Sequence, residues 1–522
     1  MINVGQGTIA IRALWAASAL LFGVVLWVAT PRGLGLTPDS VAYLKAAQGL
    51  TEGRGLSYFS VQWPPLFSSV IHLFSQITEQ DVVRGARLLN AVLYGCTFAL
   101  TGIFLSRLIA QRVHPLGIYV FSGLLCLHPT ITHIYFYALS EALFLPLVLL
   151  NLIVLHHFYD HKNDLTFLKI LCLSALGFLA TSTRYAGVTL VALNVVVLWR
   201  FTVLKSITNK VFNYAALVVP IVLLLIWWRS HLGIGDTDTN QRPLLWHPIT
   251  VQNMYEGVVN LGSWFLPITH TDLSGRWVAA FFIIGSCSLV VLMTLVIQSS
   301  IAIFTKNTDR RSTLDNYSIW IISTFCLGYL VFLVLVRSLF DPNIVLDPRT
   351  LSPIFLPLSS LLLFRCVGIS KPSGRVIALI IAAIIFLIPL QQVRPWLLIS
   401  YFNGIELNDK TRLGSDLLRF LRSCPKDASV HSDQPWNLNL EFQSMVYWLP
   451  TQYLYGSWLI NKQYVSMIKK LPTVADLIVV EDLKSALIAE VDHLRDFHRA
   501  FDSTHGIVWV KSTLGKNYCT AM

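Results

Sequence analysis

Long apolar runs separated by short basic stretches dominate the first four hundred residues. A bilayer-crossing helix needs roughly 20 apolar residues, fewer when it is partly buried in protein. On that rule eleven spans are expected, near residues 13–30, 88–109, 115–132, 139–157, 167–182, 187–204, 211–230, 277–300, 316–337, 351–366 and 376–394. Beyond about residue 400 such runs stop and shorter patterns replace them. TRLGSDLLRFLRSC and LKSALIAEVDHLRDFHRA have helical periodicity, whereas ASVHS, DLIVV and GIVWVK read as strands. The expected fold class is mainly α, a polytopic transmembrane helical bundle over residues 1–399, followed by a small α/β domain over 400–522. None of the tail strands leads into a Gly-rich phosphate loop, so no nucleotide is assigned to that domain.

Composition agrees. The chain is 54% hydrophobic and 13% charged, with a mean hydropathy of +0.61, whereas soluble domains carry about a quarter charged residues. The net charge of +11 would suggest nucleic acid in a soluble protein. Here the basic residues sit in short loops: Arg107 and Arg112; Lys162 and Lys169; Arg200, Lys205 and Lys210; Lys306, Arg310 and Arg311; Arg365, Lys371 and Arg375. With Arg12, all fall on one side of the span count, which is then cytoplasmic. Membrane lipids, and no nucleic acid, are the expected surroundings of a multi-pass protein of the cell (inner) membrane. Its N-terminus is expected inside and its C-terminal domain outside. The first apolar run reads as a retained signal anchor rather than a cleaved peptide. Six of the eight cysteines lie in apolar runs; Cys424 and Cys519 fall in the polar tail and can pair if it occupies an oxidising compartment.

The alternation leaves one polar stretch outside, inside a loop (31–87) expected to carry interfacial helices. From Thr37 to Leu66 it holds Asp39 in the first turn of a short amphipathic helix, capped by Thr37 and started by Pro38. Tyr43 follows on that helix, and Trp63 opens a Trp-Pro-Pro corner. Three more ionisable residues stand near outer span ends, where charge is expensive and suggests function. They are Glu141 after Ser140, Arg184 beside Tyr185, and Arg349 two residues after Asp347. Each has a bland alternative: a helix-start carboxylate, a snorkelling cation, and a local Asp347–Arg349 pair. Arginine's planar fork suits phosphate oxygens, and a facing carboxylate suits a general base on an incoming hydroxyl. Asp236-Thr237-Asp238 is read as a polar turn, and His156, His157 and His161 as loop histidines rather than a zinc site. Trp246, His247, Trp264 and His270 suit either sugar contacts or an ordinary membrane interface.

These residues are arranged in a way that resembles the GT-C superfamily of integral-membrane glycosyltransferases, in particular the branch with the lipid A aminoarabinose transferases and protein O-mannosyltransferases. The matching positions are Asp39, Tyr43, Leu44 and Ala47; Trp63 to Leu66; Ala138 to Glu141; Thr183 to Gly187; and Pro348 to Pro353. The resemblance implies a sugar donor on a polyprenyl phosphate, an acceptor at the outer face (a glycolipid, polysaccharide or protein), an essential acid matching Asp39, and inversion at the anomeric carbon. Asp39 and Glu141 are then the catalytic candidates, with Arg184, Tyr185, Arg349, Tyr43 and Trp63 binding substrate. No cofactor is assigned. A divalent metal stays open, because many relatives have a second acid where this chain has Ser40, and a Tyr where it has Thr350. The alternatives are a membrane transporter or lipid flippase, and a non-catalytic assembly protein.

Overall fold

A computed structural model of the chain describes residues 4–55, 63–160, 167–202, 207–230, 246–265, 275–304, 310–339, 344–369, 371–442, 446–451, 461–515 and 518–519. Helix α1 (Val4–Ala29) leads into two short helices, α2 (Pro38–Thr51) and α3 (Leu66–Thr78), and then into α4 (Val82–Ile109). There follow α5 (Pro115–Leu127), α6 (Pro129–Phe136), α7 (Glu141–Asp160), α8 (Phe167–Thr183), α9 (Val188–Thr202) and α10 (Ile207–Ser230). The long connection after α10 contains α11 (Val251–Ser263); next come α12 (Gly275–Phe304), α13 (Arg310–Leu339), α14 (Pro348–Val367), α15 (Pro372–Leu387) and α16 (Val393–Phe402). Each expected span overlaps one or more of these helices, 115–132 being divided between α5 and α6 and 376–394 running from α15 into α16.

Among the described residues, six helical stretches are long and apolar enough to cross a membrane, one of them running from α15 through α16, or seven with the bent α5–α6 pair. Shorter apolar helices cover Ala13–Ala29, Leu168–Thr183, Tyr185–Trp199 and Leu217–Trp227. The chain is a multi-pass membrane protein. One expectation needs correcting, since residues 115–132 do not form a straight span. The chain bends by 57° between α5 and α6. Pro129 lacks the N–H that would continue the ladder and disfavours helical geometry at His128. His128 turns the break into a joint: its Nδ1 accepts from Thr130 N–H (3.2 Å) and its Nε2 pairs with the Trp264 carbonyl (3.0 Å). Trp264 is thereby core, 1% exposed and 5.3 Å from the Phe355 ring, so it is closed to any sugar.

Helices α4, α7 and α14 bury most of their apolar surface, whereas α12 and α15 face outward. In the interior, Asn151 of α7 and Asn194 of α9 exchange amide hydrogen bonds, 3.0 Å each way. Polar pairs of this kind hold helices together where lipid offers the apolar faces no contrast.

The C-terminal unit contains α17 (Lys410–Leu413), α18 (Asp416–Arg422), β1 (Val430–Ser432), α19 (Pro435–Leu438), β2 (Tyr447–Trp448) and α20 (Tyr464–Val474). It closes with β3 (Leu477–Val480), α21 (Leu487–Asp492), β4 (Phe497–Ser503) and β5 (Gly506–Lys511). The sheet order is β2-β1-β3-β5-β4, parallel in the first three strands and antiparallel at β5 and β4. Strands β1, β3 and β5 match the expected ones. The helix expected over 483–500 does not: it is one short helix followed by β4. The wholly buried pattern of β3 needs a covered neighbour, β5 supplies it, and β4 pairs with β5 as the hairpin partner that closes that edge.

Cys424 and Cys519 form a disulfide across 95 residues, beside the cluster of Leu417, Val430 and Val508. Cys519→Ser is expected to cost this unit about 2–5 kcal/mol. The check is limited proteolysis of the intact protein: nicking within 410–519 should be markedly faster in the variant, and an unchanged pattern would contradict the expectation.

Candidate active site

Two helix starts face each other with the same local plan. At α2, Thr37 accepts from Ser40 N–H (3.3 Å), Pro38 takes the first helical position and Asp39 follows. At α14, Asp347 accepts from Thr350 N–H (2.7 Å), Pro348 takes that position and Arg349 follows. Capping fixes both termini, so both charged side chains are aimed by rigid backbone. Asp347 is the cap, and Arg349 reaches across instead of pairing locally. One of its terminal nitrogens donates to Asp39 Oδ2, and its Nε donates to Glu141 Oε1 at 2.9 Å.

Glu141 begins α7. Its second oxygen, Oε2, receives Arg184 Nη1 at 2.6 Å. Arg184 lies in the turn between α8 and α9, where Gly187 is required by close approach. A Cβ there would stand 2.3 Å from the Ala180 carbonyl carbon and 2.4 Å from Thr181 N, both backbone atoms. The Arg184 Nη1 also donates to Ser140 Oγ (3.0 Å), which shares a hydrogen bond with the Tyr43 hydroxyl (2.9 Å). Burial pushes the Tyr43 phenol well above its ordinary range, so it remains a neutral hydroxyl. Tyr185 opens the short turn beyond Arg184 and is half-buried. Trp63 Nε1 donates to Asp39 Oδ1 (3.4 Å).

The structure thus joins Asp39, Arg349, Glu141 and Arg184 in one chain of ion pairs, from segments far apart in sequence. Exposure differs among the four and is least at Glu141. The Glu141 side chain is 0% exposed, Arg184 18%, Arg349 23% and Asp39 33%. The cluster is therefore sealed at Glu141 and open at Asp39. Arg184 Nε is buried with no partner among the described residues.

Tyr329 escaped the sequence reading because it lies mid-pattern in the apolar α13. Its hydroxyl donates to the Thr350 carbonyl (2.9 Å), holding the turn that carries Arg349. Trp436, likewise unforeseen, meets Trp63 at 5.5 Å with planes 80° apart. No local signal marked it, since its neighbour comes from the other end of the chain. Asp236, Asp238, His161 and His270 lie outside the described residues. His157 Nδ1 pairs with Arg107 Nη1 (3.1 Å), and Trp246 is 68% exposed.

The donor set does not fit a divalent cation. Asp39 and Glu141 are already neutralised by guanidinium groups, and Ser40, where a second acid would stand, is buried with its hydroxyl 3.1 Å from that of Thr37. Among the described residues no group of three or more His, Cys, Asp or Glu side chains is placed to hold a metal ion.

Behind Trp436, Asn437 Nδ2 donates to Glu481 (2.9 Å) and Arg412 donates to the Asn437 carbonyl (2.7 Å). Burial pushes the Glu481 carboxyl up to about 7, against the pull of Asn437 and Arg412. The folded state therefore holds this proton more tightly than the unfolded one. Stability from this group is present at low pH and falls as pH rises through the carboxylate range to about 7. The C-terminal unit should resist protease better at pH 5.5 than at pH 8, and Glu481→Gln should reduce that difference. An undiminished difference would assign it to other groups.

Helical layout and C-terminal sheet together give a fold shared with solved structures. Among solved structures, the chain is similar to ArnT from Cupriavidus metallidurans bound to undecaprenyl phosphate. Identity is 12%, with 95% of this chain and 97% of that one covered at a TM-score of 0.51. It is also similar to the Archaeoglobus fulgidus oligosaccharyltransferase in complex with zinc and sulfate. There identity is 11%, coverage is 90% of this chain and 68% of that one, and the TM-score is 0.52. No protein-family model and no curated protein sequence matches the chain.

Proposed function

We propose that this protein is an inverting glycosyltransferase that moves a sugar from a polyprenyl-phosphate donor to an acceptor hydroxyl or amine at the outer membrane face. The observation that carries the reading is the Asp39–Arg349–Glu141–Arg184 chain, most open at Asp39 and fully buried at Glu141, on a GT-C fold. A similar protein was solved with undecaprenyl phosphate bound, and a carrier of that class is assigned to this chain.

In the reaction the Asp39 carboxylate takes the acceptor's proton while the acceptor atom bonds to the sugar's anomeric carbon. The bond from that carbon to the phosphate oxygen breaks on the opposite side, and its electron pair leaves with the polyprenyl phosphate. A phosphate leaves as an anion, so no general acid is required, unlike the alcohol leaving group of a glycoside. Arg349 and Arg184 stabilise the developing charge, and Glu141 orients both guanidinium groups without touching substrate. The Cys424–Cys519 bridge suits an oxidising, extracytoplasmic C-terminal unit. The bundle (1–399) then holds the donor in the cell membrane.

The test is transfer by protein in lipid nanodiscs supplied with undecaprenyl-phosphate sugars and an envelope extract, reading release of undecaprenyl phosphate by mass spectrometry. Wild-type release dependent on the extract is expected, and Asp39→Asn should reduce it to background. A folded Asp39→Asn protein with full transfer overturns the assignment.

A further inference from the structure

Trp63 links the polar tail to the catalytic cluster. It donates to Asp39, and its ring makes an edge contact with Trp436 of α19. Trp436 in turn lies 6.3 Å from Trp448 of β2, with planes again 80° apart. Three half-buried indoles thus form a row from the carboxylate to the edge of the sheet. In an edge-to-face contact one ring gives its face and the other only its rim, so neither contact takes up both faces of either ring. The row is held from both sides. Lys45 of α2 donates to the Phe442 carbonyl, tying the catalytic helix to the segment after α19, and Arg412 and Asn437 brace the turn beneath Trp436.

We propose that Trp63, Trp436 and Trp448 form the acceptor subsite and that they bind a saccharide, so that the accepting group belongs to a glycan or a glycolipid headgroup. The proposal rests on the transferase reading and names the acceptor class for that same site. Indole faces present a flat apolar surface with an N–H at the rim. A pyranose offers the matching pattern, one face of C–H groups with hydroxyls around the edge. A peptide acceptor fits less well. Extended peptides dock by adding to a sheet edge, and the edge nearest the site, β2, is two residues long. Tyr447 alternates to the other face of that strand, against His431, and is not part of the row.

The experiment uses the full chain in nanodiscs. Saturation-transfer NMR and tryptophan fluorescence measure binding of maltotetraose, mannotetraose and chitotetraose, and an unstructured Ser/Thr-rich peptide serves as competitor. At least one saccharide should bind. Trp436→Ala and Trp448→Ala should each weaken it by about ten-fold, the loss of one stacked aromatic face, while Trp436→Phe should keep it within about three-fold. Trp448→Ala, at the sheet edge, guards against a folding defect at the domain junction. Absence of saccharide binding by the wild type, wild-type affinity retained in both Ala variants, or displacement of the saccharide by the peptide would overturn the proposal. Undecaprenyl phosphate binding, measured in parallel, reports on the donor reading. Intact lipid binding without saccharide binding removes this inference and leaves the transferase standing; loss of both removes the two together.

Discussion

Arg349→Ala is expected to lower transfer by about 10²–10³-fold, the usual cost of removing one positioned donor from developing negative charge. The structure gives Arg349 two simultaneous tasks, since it touches both Asp39 and Glu141. In the substrate-free arrangement it holds the proposed base. A bound donor phosphate competes for that guanidinium, loosens its hold on Asp39, and so makes the carboxylate available only once the donor is in place. The order of binding should accordingly be donor first, acceptor second. Arg349→Ala loses both the phosphate contact and this ordering, and Arg349→Lys should recover little of either, because an ammonium cannot bridge two carboxylates with a planar fork. The measurement is initial rate against both substrates, with undecaprenyl phosphate affinity determined separately. A variant with parental donor affinity and rate would remove Arg349 from the mechanism.

Much of this arrangement was legible in the sequence, for reasons that particular residues make plain. Thr37-Pro38-Asp39 and Asp347-Pro348-Arg349 announce helix starts by cap and proline chemistry, which is local and needs no knowledge of the fold. Sidedness of Lys and Arg then placed Asp39, Glu141, Arg184 and Arg349 at one face, because a chain crossing a bilayer must alternate. What could not be read was pairing. Asp347 stands two residues from Arg349, and local spacing alone favours that pair as much as any other. Only packing of α14 against α7 shows that Asp347 caps while Arg349 reaches Glu141. The row of indoles was hidden more deeply, because Trp63 and Trp436 are separated by nearly the whole bundle. The misread segment 483–500 has a related cause. Its last four residues, FHRA, continue the helical pattern of the residues before them, yet an open antiparallel edge on β5 recruits them as the start of a strand. Tertiary demand there outweighs a weak local preference.

Glu141→Ala should be the most destabilising single change at the site, by about 3–5 kcal/mol, because it removes the common partner of two arginines inside protein. Glu141 has no exposed side-chain surface, and each of its oxygens holds a different guanidinium. Without it Arg184 and Arg349 face each other as like charges, and Arg349 is left with Asp39 alone. Thermal unfolding in nanodiscs, followed by tryptophan fluorescence, should shift down clearly. Adding Arg184→Ala should restore part of the loss, since the second substitution removes a charge that the first left unpaired. Catalysis separates the two carboxylates. Glu141→Gln should fall in rate yet keep the parental pH–rate profile, as a residue that only orients its neighbours does, whereas the profile itself should follow Asp39. An altered profile in Glu141→Gln would mean that Glu141 exchanges a proton during transfer, and the division between a reacting, exposed Asp39 and a holding, buried Glu141 would have to be abandoned.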